Sequence, residues 1–345
     1  MSVETMSSIQ DDIMNIMKRD GYRQYVVERF LLLYGERKTW ELMKAFSKPP
    51  VPSIRVNQTL IHPGEVMHRM GEKRFKLEPV PWCDEGFWVY QDQGQPVARD
   101  LGRISTFNLS PGATHEYMQG YYSMQGSTSM IPAQLLDPQP GDEILDMTAA
   151  PGSKLVQIAQ YMKNTGILVG VEKSRDRIKA LKSNVQRCGV MNTALISDDA
   201  RFLDKHFASF DRILLDAPCT GSGLMGADPT RKHSRTIADI ETMMHIQIQL
   251  LQRGLKMLRP GGRLVYSTCS LAPEENENVV NEAITDSGYL SVVKPPERVS
   301  KWFDPGMSNA FGVDFDKSLK HALRMCPTHH STRPEGFFCA IIEKA

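Results

Sequence analysis

Cys219 and Cys269 sit in two segments of the same construction. The apolar run Arg212-Ile213-Leu214-Leu215 leads into Asp216-Ala217-Pro218-Cys219, and Arg263-Leu264-Val265-Tyr266 leads into Ser267-Thr268-Cys269-Ser270. Such runs read as buried strands of a parallel sheet. Each cysteine then falls just past a carboxyl end, where open α/β sheets bind ligands. Two thiols there predict covalent chemistry, a thiolate adding to an electrophilic carbon. Cys83, Cys188, Cys326 and Cys339 lack such a context and read as structural or incidental.

The elements that must position these thiols fall into three regions. Residues 1–48 read as helical, with breaks at Gly21 and Gly35. Pro49, Pro50 and Pro52 end that pattern. Residues 49–125 read as a small α+β unit, with strands at 53–57, 75–80 and 86–90 and a helix at 65–70. Residues 126–345 alternate strands (143–146, 166–171, 193–196, 212–216, 263–266) with helices (153–162, 174–188, 236–258). That alternation predicts a doubly wound α/β sheet.

Bulk properties narrow the class. The chain has 345 residues, 41% hydrophobic and 23% charged, with a formal net charge of +1. This composition is ordinary for a globular protein, and no apolar run reaches the roughly 20 residues of a membrane span. Glu4, Asp11 and Asp12 argue against a leader peptide. The six cysteines show no metal-ligand spacing. The expectation is a cytoplasmic, monomeric protein with reduced thiols, no metal and no membrane partner. A nucleic-acid partner would need local basic patches.

A ligand site is legible beside the thiols. Asp146-Met147-Thr148-Ala149-Ala150-Pro151-Gly152-Ser153-Lys154 ends one strand and opens a helix. Its small residues admit a ligand close to the backbone, and free amides at the helix start favour an anionic group. It is not the dinucleotide fingerprint. Glu172 follows the second strand and suits a ribose diol; Asp199 follows the third and suits an adenine amino group; Asp216 ends the fourth. Acids at successive strand ends suit a ligand with ribose, adenine and a cationic end, and S-adenosyl-L-methionine has all three. Carbon 5 of a cytosine or uracil ring is a poor nucleophile until a thiolate adds at carbon 6, after which it can take a methyl group. Asp216 can hold the proton on ring nitrogen 3, and Lys154 adds positive charge near a thiolate.

Asp146 to Lys154, Asp216 to Gly223 and Tyr266 to Glu277 together resemble the signature motifs of the NOP2/Sun RNA cytosine-5 methyltransferases. Segments 53–57 and 80–82 look like that family's small RNA-binding domain, and 311–313 and 336–338 like its C-terminal elements. The layout resembles the archaeal tRNA branch most closely. The resemblance implies a Rossmann-like class I S-adenosylmethionine-dependent methyltransferase domain, preceded by a small α+β RNA-binding domain and N-terminal helices. It implies that Cys269 is the nucleophile and that Cys219 assists breakdown of the adduct. It implies cofactor contacts from Thr148, Ala149, Ala150, Pro151, Gly152, Ser153, Lys154, Glu172, Asp199 and Asp216, with Asp198 the alternative to Asp199. Thr148 stands where the family usually has Cys, and Ser153 where it often has Gly.

For the RNA, the loop Asp228–Arg235 follows the Cys219 segment. Arg231, Lys232 and Arg235 are candidate phosphate contacts beside a flipped-out base. Arg55 is a further candidate on the small domain, whose aromatics Phe75, Trp82, Phe87 and Trp88 either stack on bases or form core. The expected substrate is tRNA. Alternatives are rRNA and a noncatalytic RNA-binding assembly factor, because motifs report chemistry rather than target.

Overall fold

In a computed structural model, the described residues are 3–91, 110–203, 209–285 and 287–345, with side chains from residue 9 onward. Residues 92–109 of the expected small unit lie outside them.

The chain opens with two contacting helices, α1 (Val3–Asp20) and α2 (Gln24–Ala45). Gly21 has φ 71°, and Gly35 (φ 73°, ψ 174°) interrupts α2. A residue without Cβ enters these conformations freely, so both breaks were readable in the sequence. The small unit holds β1 (Ser53–Val56), α3 (Pro63–Glu72), β2 (Phe75–Val80), β3 (Cys83–Gln91), α4 (His115–Met118) and β4 (Tyr122–Met124). Its sheet is antiparallel, in the order β2-β3-β1-β4. Phe75 and Phe87 lie in its own core, while Trp82 and Trp88 join the core it shares with the large sheet. All four are buried, so they serve packing and not base stacking.

The remainder comprises α5 (Ile131–Leu136), β5 (Glu143–Asp146), α6 (Ser153–Tyr161), β6 (Ile167–Val171), α7 (Arg177–Arg187), β7 (Thr193–Ile196), β8 (Phe210–Asp216), α8 (Ile237–Met257) and β9 (Leu258–Thr268). After these come α9 (Glu277–Ile284), β10 (Leu290–Val292), α10 (Glu297–Ser300), β11 (Asp304–Pro305), β12 (Asn309–Ala310), β13 (Val313–Asp314), β14 (Leu323–Met325) and β15 (Phe337–Lys344). Strands β9-β8-β5-β6-β7 are parallel neighbours in that order. Antiparallel β15, β14 and β11 extend the β9 side. Alternate residues feed two cores: Ile144, Leu168, Leu214 and Val265 face one, and Leu145, Val169, Leu215 and Tyr266 the other. Both faces are covered, which explains the unbroken apolar runs. Each fully buried aliphatic side chain contributes about 1.5–3 kcal/mol. The strand order reverses at β5, so β5 and β8 open a crevice at their carboxyl ends. Among the described residues no helix is long and apolar enough to cross a membrane.

Candidate active site

The thiols meet because their strands do. β8 and β9 are parallel and in register, with Asp216 opposite Ser267. Neighbouring strands lie about 4.8 Å apart, so the two segments leave the sheet side by side. Cys219 and Cys269 are both half-buried, with their sulfurs 3.1 Å apart. The hydrogen bond to Cys269, then burial and the charges of Cys269 and Glu275, push the Cys219 thiol well above the ordinary cysteine value. Gly221 turns the chain after Cys219 at φ 69°; a Cβ there would run into the Arg231 guanidinium. Arg231 donates to the Thr220 carbonyl at 2.6 Å.

Asp216 is held on both oxygens. Ser267 Oγ donates to Oδ1 at 2.8 Å, and Lys154 Nζ donates to Oδ2. Lys154 also donates to Ser129 Oγ at 2.7 Å. The lysine expected to favour a thiolate is thus paired with Asp216. Thr148 Oγ1 donates to the Asp216 carbonyl at 2.8 Å, tying the β5 and β8 loops together.

A cleft of about 730 Å³ lies over these strand ends. Of the sequence candidates, Thr148, Ala150, Glu172, Asp198, Asp199, Asp216, Cys219, Cys269 and Arg231 line it. Ala149, Gly152 and Lys154 are buried, Ser153 is half-buried and Pro151 is exposed. Gly152 opens α6 at φ 110°. Glu172 is buried and accepts from the Ser174 N–H at 2.7 Å. The Arg201 guanidinium, then Lys173, hold Asp199 well below the usual carboxylate range. Asp198 is exposed and accepts from the Asp199 N–H. Sequence reasoning passed over the basic rim of Lys173, Arg177 and Arg201, and the apolar wall of Met243, Ile246 and Leu250 from α8. These residues lie outside the strand-end motifs that signalled the site.

Asp146 is buried beneath the cleft. Burial, against the Thr148 N–H that it accepts, raises its carboxyl to about 7. Its ordinary value is 3.8, so the folded protein binds this proton more tightly than the unfolded chain. That contribution to stability is full below about pH 4 and is lost as pH rises through about 7. Asp146→Asn keeps the acceptor and removes the titration. Its urea midpoint should therefore fall less than wild type's between about pH 5 and about pH 8. Equal falls would exclude Asp146 as the source.

Two of the four candidate RNA contacts point inward. Arg55 is 1% exposed; it donates to Gln125 Oε1 at 2.8 Å, to the Ser153 carbonyl at 3.3 Å and to Gln160. Lys232 is 4% exposed, 3.1 Å from Asp20 Oδ2 and 4.9 Å from the Tyr22 ring. Both cations join parts of the molecule, since a buried charge needs a fixed partner; the alternation and loop position that suggested them do not report burial. Arg231 faces the cleft. Arg235 lines a smaller pocket against α2, where Tyr25 Oη donates to its carbonyl at 2.8 Å. His329 is 3.0 Å from Asp304, which Lys38 also reaches at 3.3 Å, and His330 stacks on Trp88.

Residues 133–343 match the 16S rRNA methyltransferase RsmB/F family, and residues 26–127 match the N-terminal domain of 16S rRNA methyltransferase RsmF. The chain is 41% identical over 245 residues to the ribosomal RNA small subunit methyltransferase F of Shewanella loihica, covering 69% of this chain and 48% of that protein. It thus spans about half the length of that relative. It is 34% identical over 325 residues to the tRNA (cytosine(49)-C(5))-methyltransferase of Pyrococcus abyssi, covering 92% of this chain and 95% of that one. The crystal structure of a methyltransferase homolog protein from Pyrococcus horikoshii superposes with a TM-score of 0.81 at 34% identity, covering 96% of this chain and 99% of that one. With its motifs, its sheet and these similarities in agreement, the chain belongs to the RsmB/F (NOP2/Sun) family of RNA methyltransferases.

Proposed function

We propose that this protein is an S-adenosylmethionine-dependent RNA cytosine-C5 methyltransferase with Cys269 as nucleophile and Cys219 assisting release. The observation that carries this reading is the 3.1 Å approach of two thiols in the wall of a cleft bordered by acids at successive strand ends. The cleft suits the methyl donor. Glu172 offers acceptors for a ribose, Asp199 or Asp198 for an adenine amino group, and Met243, Ile246 and Leu250 an apolar wall. S-Adenosylmethionine supplies an electrophilic methyl group on a sulfonium.

The chain's residues do the rest. The Cys269 thiolate adds to carbon 6 of the cytosine, and the ring electrons shift to carbon 5, which takes the methyl group. Asp216, fixed by Lys154 and Ser267, accepts a hydrogen bond from a proton held on ring nitrogen 3, and that proton neutralises the charge the addition places on the ring. The carbon-5 proton then passes to solvent, its bonding electrons restore the ring's carbon 5–carbon 6 double bond, the sulfur–carbon bond breaks and the thiolate returns. Cys219 lies beside that sulfur and assists this last step. Arg231 lines the same cleft and suits a phosphate flanking the base.

Two RNA classes each have support. The 41% relative is named for small-subunit rRNA, and the relative matched over 95% of its length is named for tRNA. The deciding experiment is methyl transfer from labelled S-adenosylmethionine to purified tRNA and rRNA, with nucleoside analysis. 5-Methylcytidine should appear in one of them. Binding of the donor without transfer to either RNA would defeat the reading and favour a noncatalytic RNA-binding role.

A further inference from the structure

Glu275 differs from the acids that border the cleft. It is fully buried and does not line the cleft wall. Its oxygens accept from both cysteine segments. Oε1 takes the Thr220 N–H at 2.7 Å and Gln247 Nε2 at 3.2 Å; Oε2 takes Thr220 Oγ1 and Ser270 Oγ. Thr220 directly follows Cys219, and Ser270 directly follows Cys269. One carboxylate therefore grips the residue after each thiol. Gln247 extends the grip by donating to the Pro218 carbonyl at 2.8 Å, on the other side of Cys219.

One of these donors, the Thr220 backbone N–H, cannot become an acceptor, and the Gln247 NH2 group is also committed to the Pro218 carbonyl. An ionised carboxylate has a lone pair for each of its four partners. Burial raises the Glu275 carboxyl, against the lowering by the Ser270 and Thr220 hydrogen bonds. The acid is itself anchored, since Tyr266 Oη donates to its carbonyl. The surrounding contacts run the same way: Gly223 N–H to the Cys269 carbonyl at 2.9 Å, and Leu271 N–H to Ser222 Oγ at 2.8 Å.

We propose that Glu275 is a positioning residue that sets the spacing of Cys219 and Cys269 by clamping Thr220 and Ser270 together. The inference rests on the reaction assigned above, in which one thiol must act beside the bond formed by the other. Small displacements of reacting groups cost rate steeply. Loosening the clamp should therefore slow release more than it weakens binding.

The test uses the full chain and a bis-alkylating bimane, which fluoresces on bridging two adjacent thiols, with a mono-alkylating bimane as control. Glu275→Ala should lower the bridging rate at least about tenfold while single alkylation stays within about twofold. Glu275→Gln keeps an acceptor for the Thr220 N–H, and hydroxyls can turn to accept, so it should recover much of the bridging. If Glu275→Ala does not fold, the Thr220→Val/Ser270→Ala pair removes both hydroxyl grips and leaves the carboxylate in place. That pair should also lower bridging at least about fivefold and reduce kcat for methyl transfer more than it raises KM for RNA. Wild-type bridging in either Glu275→Ala or the hydroxyl pair overturns the proposal. Bridging needs neither RNA nor methyl donor. A clamp that controls bridging in a protein with no transfer activity would thus discard the reaction and keep the clamp; active protein with clamp-independent bridging would do the reverse.

Discussion

Cys269→Ala should reduce methyl transfer by more than about a thousandfold, while Cys219→Ala should accumulate a covalent RNA–protein adduct. The two sulfurs lie 3.1 Å apart in equivalent loops, so position alone does not separate their roles. The sequence of steps does. The nucleophile is needed before any bond to the base forms, so its loss blocks every later step. The second sulfur is needed after the methyl group has moved, so its loss stalls the complex with the sulfur–carbon bond intact. Denaturing gels with labelled RNA read the adduct directly, and RNA containing 5-azacytidine should trap wild type but not Cys269→Ala. An adduct that persists in Cys269→Ala and vanishes in Cys219→Ala would exchange the two roles. Loss of donor binding in either variant would show instead that the substitution had damaged the cleft.

The second large effect concerns stability. Arg324→Met should destabilise the protein by about 3–5 kcal/mol. Arg324 is 3% exposed and Glu277 0%. The guanidinium donates to both Glu277 oxygens at 2.7 and 2.6 Å, and to the Leu271 carbonyl at 2.6 Å. Glu277 also accepts from the Met307 N–H at 3.0 Å. Removing the cation strands a buried carboxylate, which is the costly half of a buried pair. Arg324→Met with Glu277→Leu should recover part of the loss, leaving about 1–3 kcal/mol for each backbone group that has lost its partner. A double-mutant cycle by guanidinium denaturation measures the coupling. A single variant within about 1 kcal/mol of wild type would show that water or a neighbour satisfies Glu277. Because Leu271 follows the Cys269 segment, the same variant should also make the two thiols less readily bridged.

The parallel strands were legible in the sequence for a definite reason. A strand buried on both faces leaves an unbroken apolar run, and Ile144-Leu145, Ile213-Leu214-Leu215 and Leu264-Val265 are such runs. Their carboxyl ends therefore located Thr148, Asp216 and both cysteines, while the ends of β6 and β7 located Glu172 and Asp199. The helix expected at 236–258 forms as α8, and Thr236 and Asp239 fix its start with a capping box. The pairing of β15 with β9 was not legible, since antiparallel strand order depends on contacts between residues far apart in the chain.

The sequence by itself determined the alternation of strands and helices, the two thiol-bearing loops and the acids at the strand ends, because each follows from local pattern and backbone chemistry. Only the tertiary structure decided what each polar side chain touches. A lysine in a basic loop and an arginine in a strand look the same whether they face RNA or an interior carboxylate, and Lys232 and Arg55 face inward. Lys154 likewise meets Asp216 only because β5 and β8 are neighbours. Glu275 joins the two cysteine loops because it holds not only Ser270, 5 residues before it, but also Thr220, 55 residues before it. Local sequence carries no record of contacts at such separation; they arise when the sheet assembles and brings the strand ends together.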